Sequence, residues 1–352
     1  MGRDSVTLAD VARLAGVSQS AVSRTFTAGG SVSEKTRSRV MAAAEQLGYR
    51  PNPMARAMIT GKSRIIGLVV SYLENQFYPV ALEHLSLSLQ ERGYHILIFL
   101  ADPQGEKVPD MVRSLLDYGV DGIITASVTM SNDLTTRCEE AGIPIVMFNR
   151  GQDDPRLSAV TSDNRAGGRA AANFLVAGGH RRLAHIAGWQ KSSTGRDRAQ
   201  GFSEALTDHG MEPVAVVDGK YSAETVRWLT RELFDQKDRP DAVFVGNDHM
   251  AMSVMDVLRF ELGLRVPEDV SVVGYDDVPA AAAPTYDLTT VRQPVRRMVE
   301  ATVTALLNRV EGETEASQIH IPGDLIIRGS ARKPKVYEPA GRTDTHQVSS
   351  DT

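Results

Sequence analysis

The 352-residue chain has one cysteine, Cys138, so neither a disulfide framework nor a cysteine-built metal site is open to it. That usage fits a reducing compartment and predicts a cytoplasmic location. Long apolar runs are missing too. Nothing approaches the roughly 18 apolar residues of a membrane helix. The opening MGRDSVTLAD lacks the apolar core of a secretory signal. There is no Gly-x-Gly-x-x-Gly after a strand, no Walker loop and no Gly-x-Ser-x-Gly elbow. The eight histidines show no ligand spacing, and Gly179-His180 reads as the close of a helix. No metal, no cofactor and no catalytic residue is therefore expected, and an enzyme is the weaker reading.

What is present is a divided molecule. A length of 352 residues exceeds what one core usually organises, and 42% hydrophobic residues suffice for sizeable cores. The net charge of −5 hides an asymmetry: residues 1–62 hold nine Lys/Arg against four acids, a net +5, which leaves −10 for the rest. A compact basic head on an acidic body points to a polyanionic partner for the head.

The head reads as three short helices. Thr7 and Asp10 form a capping box, after which Leu8, Val11, Ala12 and Ala15 share one face until Gly16 ends the helix. Ser18 caps a second helix reaching Phe26, with Gln19, Ser20, Ser23 and Arg24 on one side and Val22 and Phe26 inward. Ser33 caps a third, closed by Gly48. Helix, glycine turn, then a helix with polar exposed residues is the helix-turn-helix arrangement, whose second helix fits the major groove. There arginine can pair with guanine and glutamine with adenine.

The run Val6-Thr7-Leu8-Ala9-Asp10-Val11-Ala12, with Ala15-Gly16-Val17-Ser18, Val22-Ser23-Arg24 and Leu47-Gly48-Tyr49-Arg50-Pro51-Asn52, resembles the head of the LacI/GalR family. The resemblance implies that Gln19, Ser20 and Arg24 read bases, with Thr7, Ser18 and Ser23 beside them. Ala21 and Thr27 stand where the family often has threonine and asparagine. The operator sequence therefore stays open.

Pro51-Asn52-Pro53 opens a further short helix, Asn52 as cap and Pro53 in the first turn, ending at Thr60-Gly61. About two turns is too short to be stable alone. The resemblance implies a hinge that pairs with its dimer mate over the minor groove, with Asn52, Ala55 and Met58 at the DNA and Met58 in place of a wedging leucine.

From Arg64 onward, strand-like runs such as Ile65–Val70, Gly122–Ala126, Leu183–Ala187 and Ala242–Val245 alternate with amphipathic stretches. Those stretches end at Gly93, Gly119, Gly142, Gly210 and Gly263. This is the pattern of parallel βαβ sheets, repeated. The resemblance implies a small all-α helix-turn-helix head, joined by a hinge helix to an α/β periplasmic-binding-protein-like body of two doubly wound parallel-sheet lobes. The expected divisions are head 1–50, hinge 51–63, body 64–332 and a polar tail 333–352. Within the body, crossovers near 162, 292 and 322 separate a first lobe (64–161 and 293–322) from a second (162–292 and 323–332).

Ligands in such sheets bind beyond the carboxyl ends of the strands. The candidates there are Phe77, Tyr78, Asp102, Asn149, Arg196, Arg198, Tyr221, Asn247 and Asp276. Each alone has a structural reading: Asn247-Asp248 could merely cap a helix, and Tyr78 could be core. Aromatic plates beside forked Arg, Asp and Asn groups suit a small polar ring. Asn75-Gln76-Phe77-Tyr78, Arg198-Ala199-Gln200-Gly201-Phe202, Val245-Gly246-Asn247-Asp248 and Val273-Gly274-Tyr275-Asp276 resemble the family's effector motifs. They imply effector roles for Arg198, Asn247 and Asp276, with Tyr221 as stacking platform. The expectation is a repressor that binds a palindromic operator as a homodimer under a sugar or sugar-derived effector. A nucleobase or anionic corepressor is the alternative, and a sugar enzyme or a transport binding protein the rivals of another class. The tail has no apolar heptad, which argues against a tetramerising coiled coil.

Overall fold

A computed structural model describes residues 6–27, 29–50, 61–101, 107–128, 131–152, 154, 156–313 and 315–335. The hinge candidates Asn52, Ala55 and Met58, the candidate Asp102 and residues 336–352 of the tail lie outside the described residues. Contacts divide the chain between Arg64 and Ile65 into a small unit and a large one.

The small unit contains α1 (Leu8–Ala15), α2 (Gln19–Phe26) and α3 (Glu34–Leu47). At the start of α1 the Thr7 amide donates to the Asp10 carboxylate at 3.0 Å, and the Asp10 amide donates to Thr7 Oγ1 at 3.3 Å. Ser18 and Ser33 cap α2 and α3, each hydroxyl accepting from the amide three residues on. Gly16 and Gly48 then end α1 and α3 in the left-handed region, at φ of 61° and 66°. The core is built from small residues around Val11, Val22 and Val40. Arginines of α3 supplement it. Arg37 donates to the Thr25 carbonyl at 3.2 Å, and Arg39 donates to the carbonyls of Ala15 and Gly16. Both therefore sit at helix C-termini, where cations complement carbonyls left without helical partners. Part of the head's positive charge thus holds the fold together.

The large unit runs β1 (Ile65–Val70), α4 (Phe77–Glu91), β2 (His95–Leu100), α5 (Val108–Asp117), β3 (Gly122–Ala126), α6 (Asn132–Glu140), β4 (Ile145–Phe148) and β5 (Ser158–Ser162). It continues through α7 (Asn164–Ala177), β6 (Leu183–Ala187), α8 (Ser193–Asp208), β7 (Ala215–Asp218), α9 (Ala223–Phe234), β8 (Ala242–Val245), α10 (Asp248–Asp256), β9 (Ser271–Asp276) and β10 (Thr289–Arg292). Last come α11 (Val295–Val310), β11 (Gln318–Ile321) and β12 (Leu325–Ile326). One sheet has the order β11-β5-β4-β3-β1-β2 and the other β12-β10-β9-β8-β6-β7. Every pairing is parallel except β10 with β12. The chain leaves the first sheet after β5, returns through α11 to β11, and crosses once more to β12.

The central strands are buried throughout, and read as apolar runs interrupted by Thr125 in β3 and His185 in β6. β5 and β10 are buried as well, but are rich in Ser and Thr and carry no apolar run. Their hydroxyls are satisfied inside: Thr290 donates to Asp248 at 2.6 Å, and Thr289 Oγ1 accepts from the Arg328 amide at 2.9 Å. The five glycines read as helix ends all have positive φ, between 64° and 76°.

Candidate functional site

On the small unit, α2 buries Val22 and Thr25 and turns Gln19, Ser20 and Arg24 outward, with Ser23 half-buried. Arg24 has no ion pair or side-chain hydrogen bond among the described residues, so its guanidinium is available to a partner. Thr7 and Ser18 are exposed, although their hydroxyls already accept the capping amides. A short capped helix with a free arginine and a free glutamine at its surface has the dimensions and donors of a major-groove reader.

In the large unit, the loops at the carboxyl ends of both sheets meet in a cleft. Its inner end is lined by Asn75, Tyr78, Asn149, Arg198, Asn247 and Asp276, and leaves only about 10 Å³ free. Asp276 is the hub. Its carboxylate accepts from Asn75 Nδ2 and from Gln293 Nε2, both at 2.7 Å, and lies 3.6 Å from the Arg198 guanidinium. Arg198 donates to Asn164 Oδ1 at 2.8 Å and to the Gly246 carbonyl at 2.5 Å, with its guanidinium 3.6 Å from the centre of the Tyr275 ring. Small residues make that reach possible. A side chain at Gly168 would come within 2.3 Å of the Arg198 carbonyl oxygen, and one at Gly201 within 2.0 Å of the Arg165 carbonyl oxygen. α7 and α8 can therefore pack backbone to backbone.

Burial pushes Asp276 above the usual carboxylate range, while Arg198, Asn75 and Gln293 favour its ionised form. Beneath it, burial and the Asp276 charge raise Asp248 well above that range. Two buried polar atoms at the inner end, Asn149 Oδ1 and Asn247 Nδ2, make no hydrogen bond. Asn247 does cap α10, its Oδ1 accepting from the Met250 amide at 2.9 Å, but the cap uses only the oxygen.

Backbone strain concentrates in the same place. Among the described residues, eight non-glycines have positive φ, and Ser127, Asn149, Lys220, Tyr221 and Asp276 of these line the cleft. For tyrosine this conformation is a true outlier, of the sort that persists where surrounding structure over-determines it. The Tyr221 hydroxyl pairs with Thr194 Oγ1 at 2.9 Å, and its ring lies so close to Gly188 that a side chain there would meet it at 2.1 Å.

Two of the expected site residues lie elsewhere. Arg196 is exposed on the outside of α8, since a position two residues from the buried Arg198 is about 200° around the helix. Phe77 is core: it stacks on Phe148 at 6.0 Å and does not line the cleft. Its neighbour Tyr78 does line the cleft and accepts from Asn149 Nδ2 at 2.9 Å. Sequence reasoning passed over Tyr72, Arg150 and Thr194, and held Asn75 only as the first residue of a motif, although all four line the inner end as well. Tyr72 follows β1 by two residues and Arg150 adjoins Asn149, so the rule that ligands sit beyond strand ends already covered both.

Residues 7–52 match the family described as bacterial regulatory proteins, lacI family, and residues 172–331 match the periplasmic binding protein-like domain. The HTH-type transcriptional regulator CelR of Thermobifida fusca is 36% identical over 334 residues, covering 92% of this chain and 98% of that protein. The HTH-type transcriptional repressor PurR of Vibrio vulnificus (strain CMCP6) is 31% identical over 335 residues, covering 93% and 99%. The solved lac repressor dimer bound to operator and the anti-inducer ONPF resembles this fold with a TM-score of 0.83 at 30% identity, covering 93% of this chain and 99% of that one. The CelR–cellobiose complex does so with a TM-score of 0.71 at 34% identity, covering 93% and 100%. These relatives regulate transcription and are not enzymes. The chain belongs to the LacI family: it is a DNA-binding transcriptional regulator whose large unit is an effector-binding body.

Proposed function

We propose that this regulator is a cytoplasmic repressor that binds a palindromic operator as a homodimer and changes its grip when a sugar occupies the cleft. Gln19, Ser20 and Arg24 read bases, Thr7, Ser18 and Ser23 position α2, and Asn52, Ala55 and Met58 serve the hinge. The observation that carries the sugar reading is the inner end of the cleft. Asp276 and Arg198 offer an acceptor and a donor fork beside the unpartnered Asn149 Oδ1 and Asn247 Nδ2, and each hydroxyl of a sugar can both donate and accept. The aromatic plates support a puckered ring over a flat base. Tyr72 and Tyr221 lie 6.1 Å apart but tilted by 44°, whereas a sandwiched nucleobase calls for near-parallel rings. CelR, a relative whose solved complex holds cellobiose, supports the same choice.

The homodimer draws support from the sheet edges. β2 and β7 occupy the corresponding edge of each sheet, and each exposes apolar side chains, Ile98 at 49% and Val216 at 46%. Such edges are usually covered. Truncation after Lys333 should leave a dimer by sedimentation. The effector reading is tested by thermal shift of the full chain against neutral sugars, sugar acids and nucleobases, followed by operator binding with each hit. A sugar that raises the melting temperature and changes operator affinity about tenfold supports it. Stabilisation by nucleobases alone overturns it.

A further inference from the structure

The helix that carries the base readers has little of its own to hold it. Along α2 only Val22 and Thr25 are buried, and the Thr25 hydroxyl donates back to the Ala21 carbonyl at 2.8 Å within the same helix. Phe26 adds a partly buried contact, its ring 5.8 Å from that of Tyr49. A helix seated on so few side chains can rock about Val22. Arg24 stands two residues from that pivot, and a site that pairs with base edges tolerates misplacement of only about 0.5 Å.

The missing restraint comes from α3, and it reaches both ends of α2. Val40 is the buried residue of α3 at the centre of the head. At about 100° per residue, Arg37 lies about 60° to one side of Val40 and Arg39 about 100° to the other. Arg37 Nη1 donates to the Thr25 carbonyl in the last turn of α2 at 3.2 Å, and Nη2 donates to the Gly30 carbonyl beyond it at 3.5 Å. Gly30 in turn lies against the backbone of Arg24: a side chain there would come within 2.0 Å of the Arg24 carbonyl oxygen. At the other end, Arg39 Nη2 donates to the Ala15 carbonyl and, at 3.1 Å, to the Gly16 carbonyl. Those two residues form the turn that leads to the Ser18 cap of α2.

We propose that Arg37 and Arg39 are positioning residues for base reading: from α3 they brace both ends of α2 and fix the angle at which Arg24 meets the major groove. The inference rests on the base-reading role of α2 above and adds to it two residues that touch no base. The planar guanidinium of Arg37 spans two carbonyls at once, which a lysine ammonium on its flexible stem does not. A plain phosphate contact would behave differently, since losing one weakens all sequences alike. A brace matters only where geometry matters, so its loss lowers discrimination while nonspecific binding persists.

The full-length chain selects its operator from a randomised duplex pool. The selected duplex and a scrambled one of equal length are then titrated with the natural chain, Arg37→Lys, Arg24→Ala and the double variant. Lysine keeps the charge and removes the fork. Arg37→Lys should weaken binding to the selected duplex about tenfold and to the scrambled one by under about twofold. In the Arg24→Ala background the same change should cost under about threefold, because the group it positions is gone. Arg39→Lys, on a more exposed side chain, should follow the same pattern at about fivefold. Circular dichroism checks that the helices persist; if Arg37→Lys unfolds the head, Arg39→Lys carries the cycle. The positioning role is overturned by a lysine variant that binds like the natural chain, weakens both duplexes alike, or costs as much without Arg24 as with it. Each of these results leaves α2 as the reader. If Arg24→Ala itself weakens both duplexes equally, the reading role falls and takes this inference with it.

Discussion

Five strands of each sheet share one order, five places apart in sequence, yet the two sheets bring different chemistry to the cleft. The first lobe contributes Tyr72, Asn75, Tyr78 and Asn149, which are neutral, and Arg150 at the wall. The second contributes Arg198 and Asp276, with Asp248 beneath them. Two of these groups are held by their own side, Arg198 by Asn164, Gly246 and Tyr275 and Asp248 by Thr290 and the Val278 amide, whereas Asp276 takes its hydrogen bonds from Asn75 and Gln293. The difference has a mechanical consequence. A buried ion stripped of its partners is costly, whereas exchanging a neutral hydrogen bond for water is cheap. Parting of the lobes therefore leaves Arg198 and Asp248 with their partners and Asp276 with Arg198, and the Asn75 amide on Asp276 is the bond that water or a ligand must replace.

The comparison breaks most visibly at Asp276. Asp276→Ala removes the shared acceptor of Asn75 and Gln293 and leaves Arg198 without its carboxylate. It should weaken effector binding by about 100-fold or more and destabilise the body by about 3 kcal/mol. Asn149→Ala, on the neutral side, should cost about tenfold in affinity and little stability. Calorimetry with the sugar identified by thermal shift, alongside urea unfolding, checks both. Equal losses in the two variants would erase the division between charged and neutral lobes.

Next in size is an acid-sensitive element in the second lobe. His185 is fully buried, stacked on Phe244 at 4.6 Å with Nδ1 at 2.9 Å from the Phe244 carbonyl oxygen, and burial lowers its pKa to about 4. Below about pH 6.5 the unfolded chain takes up a proton that the folded chain refuses. Stability from this group is thus complete above pH 6.5 and declines as the pH falls towards 4. Between pH 7 and pH 5, His185→Phe should lose about 2 kcal/mol less stability than the natural chain in urea unfolding. Identical slopes would place the acid sensitivity elsewhere.

Much of this was legible in the sequence, for reasons that differ between head and body. In the head, caps and caged residues lie three or four positions apart, so Thr7 with Asp10, Ser18 and Gly16 announce their helices locally. The arginine clamps from α3 were not legible, because the carbonyls they reach lie 12 to 24 residues away. In the body, apolar runs gave the central strands, while β5 and β10 hid their burial behind hydroxyls whose partners are distant in sequence. Arg198, Asn247 and Asp276 emerged from local motifs, but Asn75 bonds across 201 residues and no periodicity reports such a pair. Arg196 went astray because helical phase cannot be assigned until one position is known to point inward.

A third prediction sets two arginines against each other. Arg198 is locked among partners, whereas Arg24 has none among the described residues. Arg24→Ala should leave the melting temperature nearly unchanged and weaken operator binding by about 1.5 kcal/mol, relaxing preference at one position of each half-site. Equal weakening on operator and random DNA, read by competition gel shifts, would make Arg24 a phosphate contact.

The smallest effect concerns the bond that joins the lobes at the hub. Asn75 Nδ2 donates across to Asp276, while Asn75 Oδ1 accepts locally from the Phe77 amide at 3.1 Å. Asn75→Ala loses both and should cost about 1 kcal/mol. Asn75→Asp retains the local acceptor but sets a second carboxylate against Asp276, so at neutral pH it should cost more than the alanine despite its better shape. In an Asp276→Asn background the repulsion has no partner, and the aspartate variant should become the milder of the two. This double-mutant comparison isolates the contact between lobes from the turn that carries it. If Asn75→Asp stays the more damaging change in both backgrounds, the cost lies in the turn before α4, and the neutral side of the cleft is not what holds the lobes together.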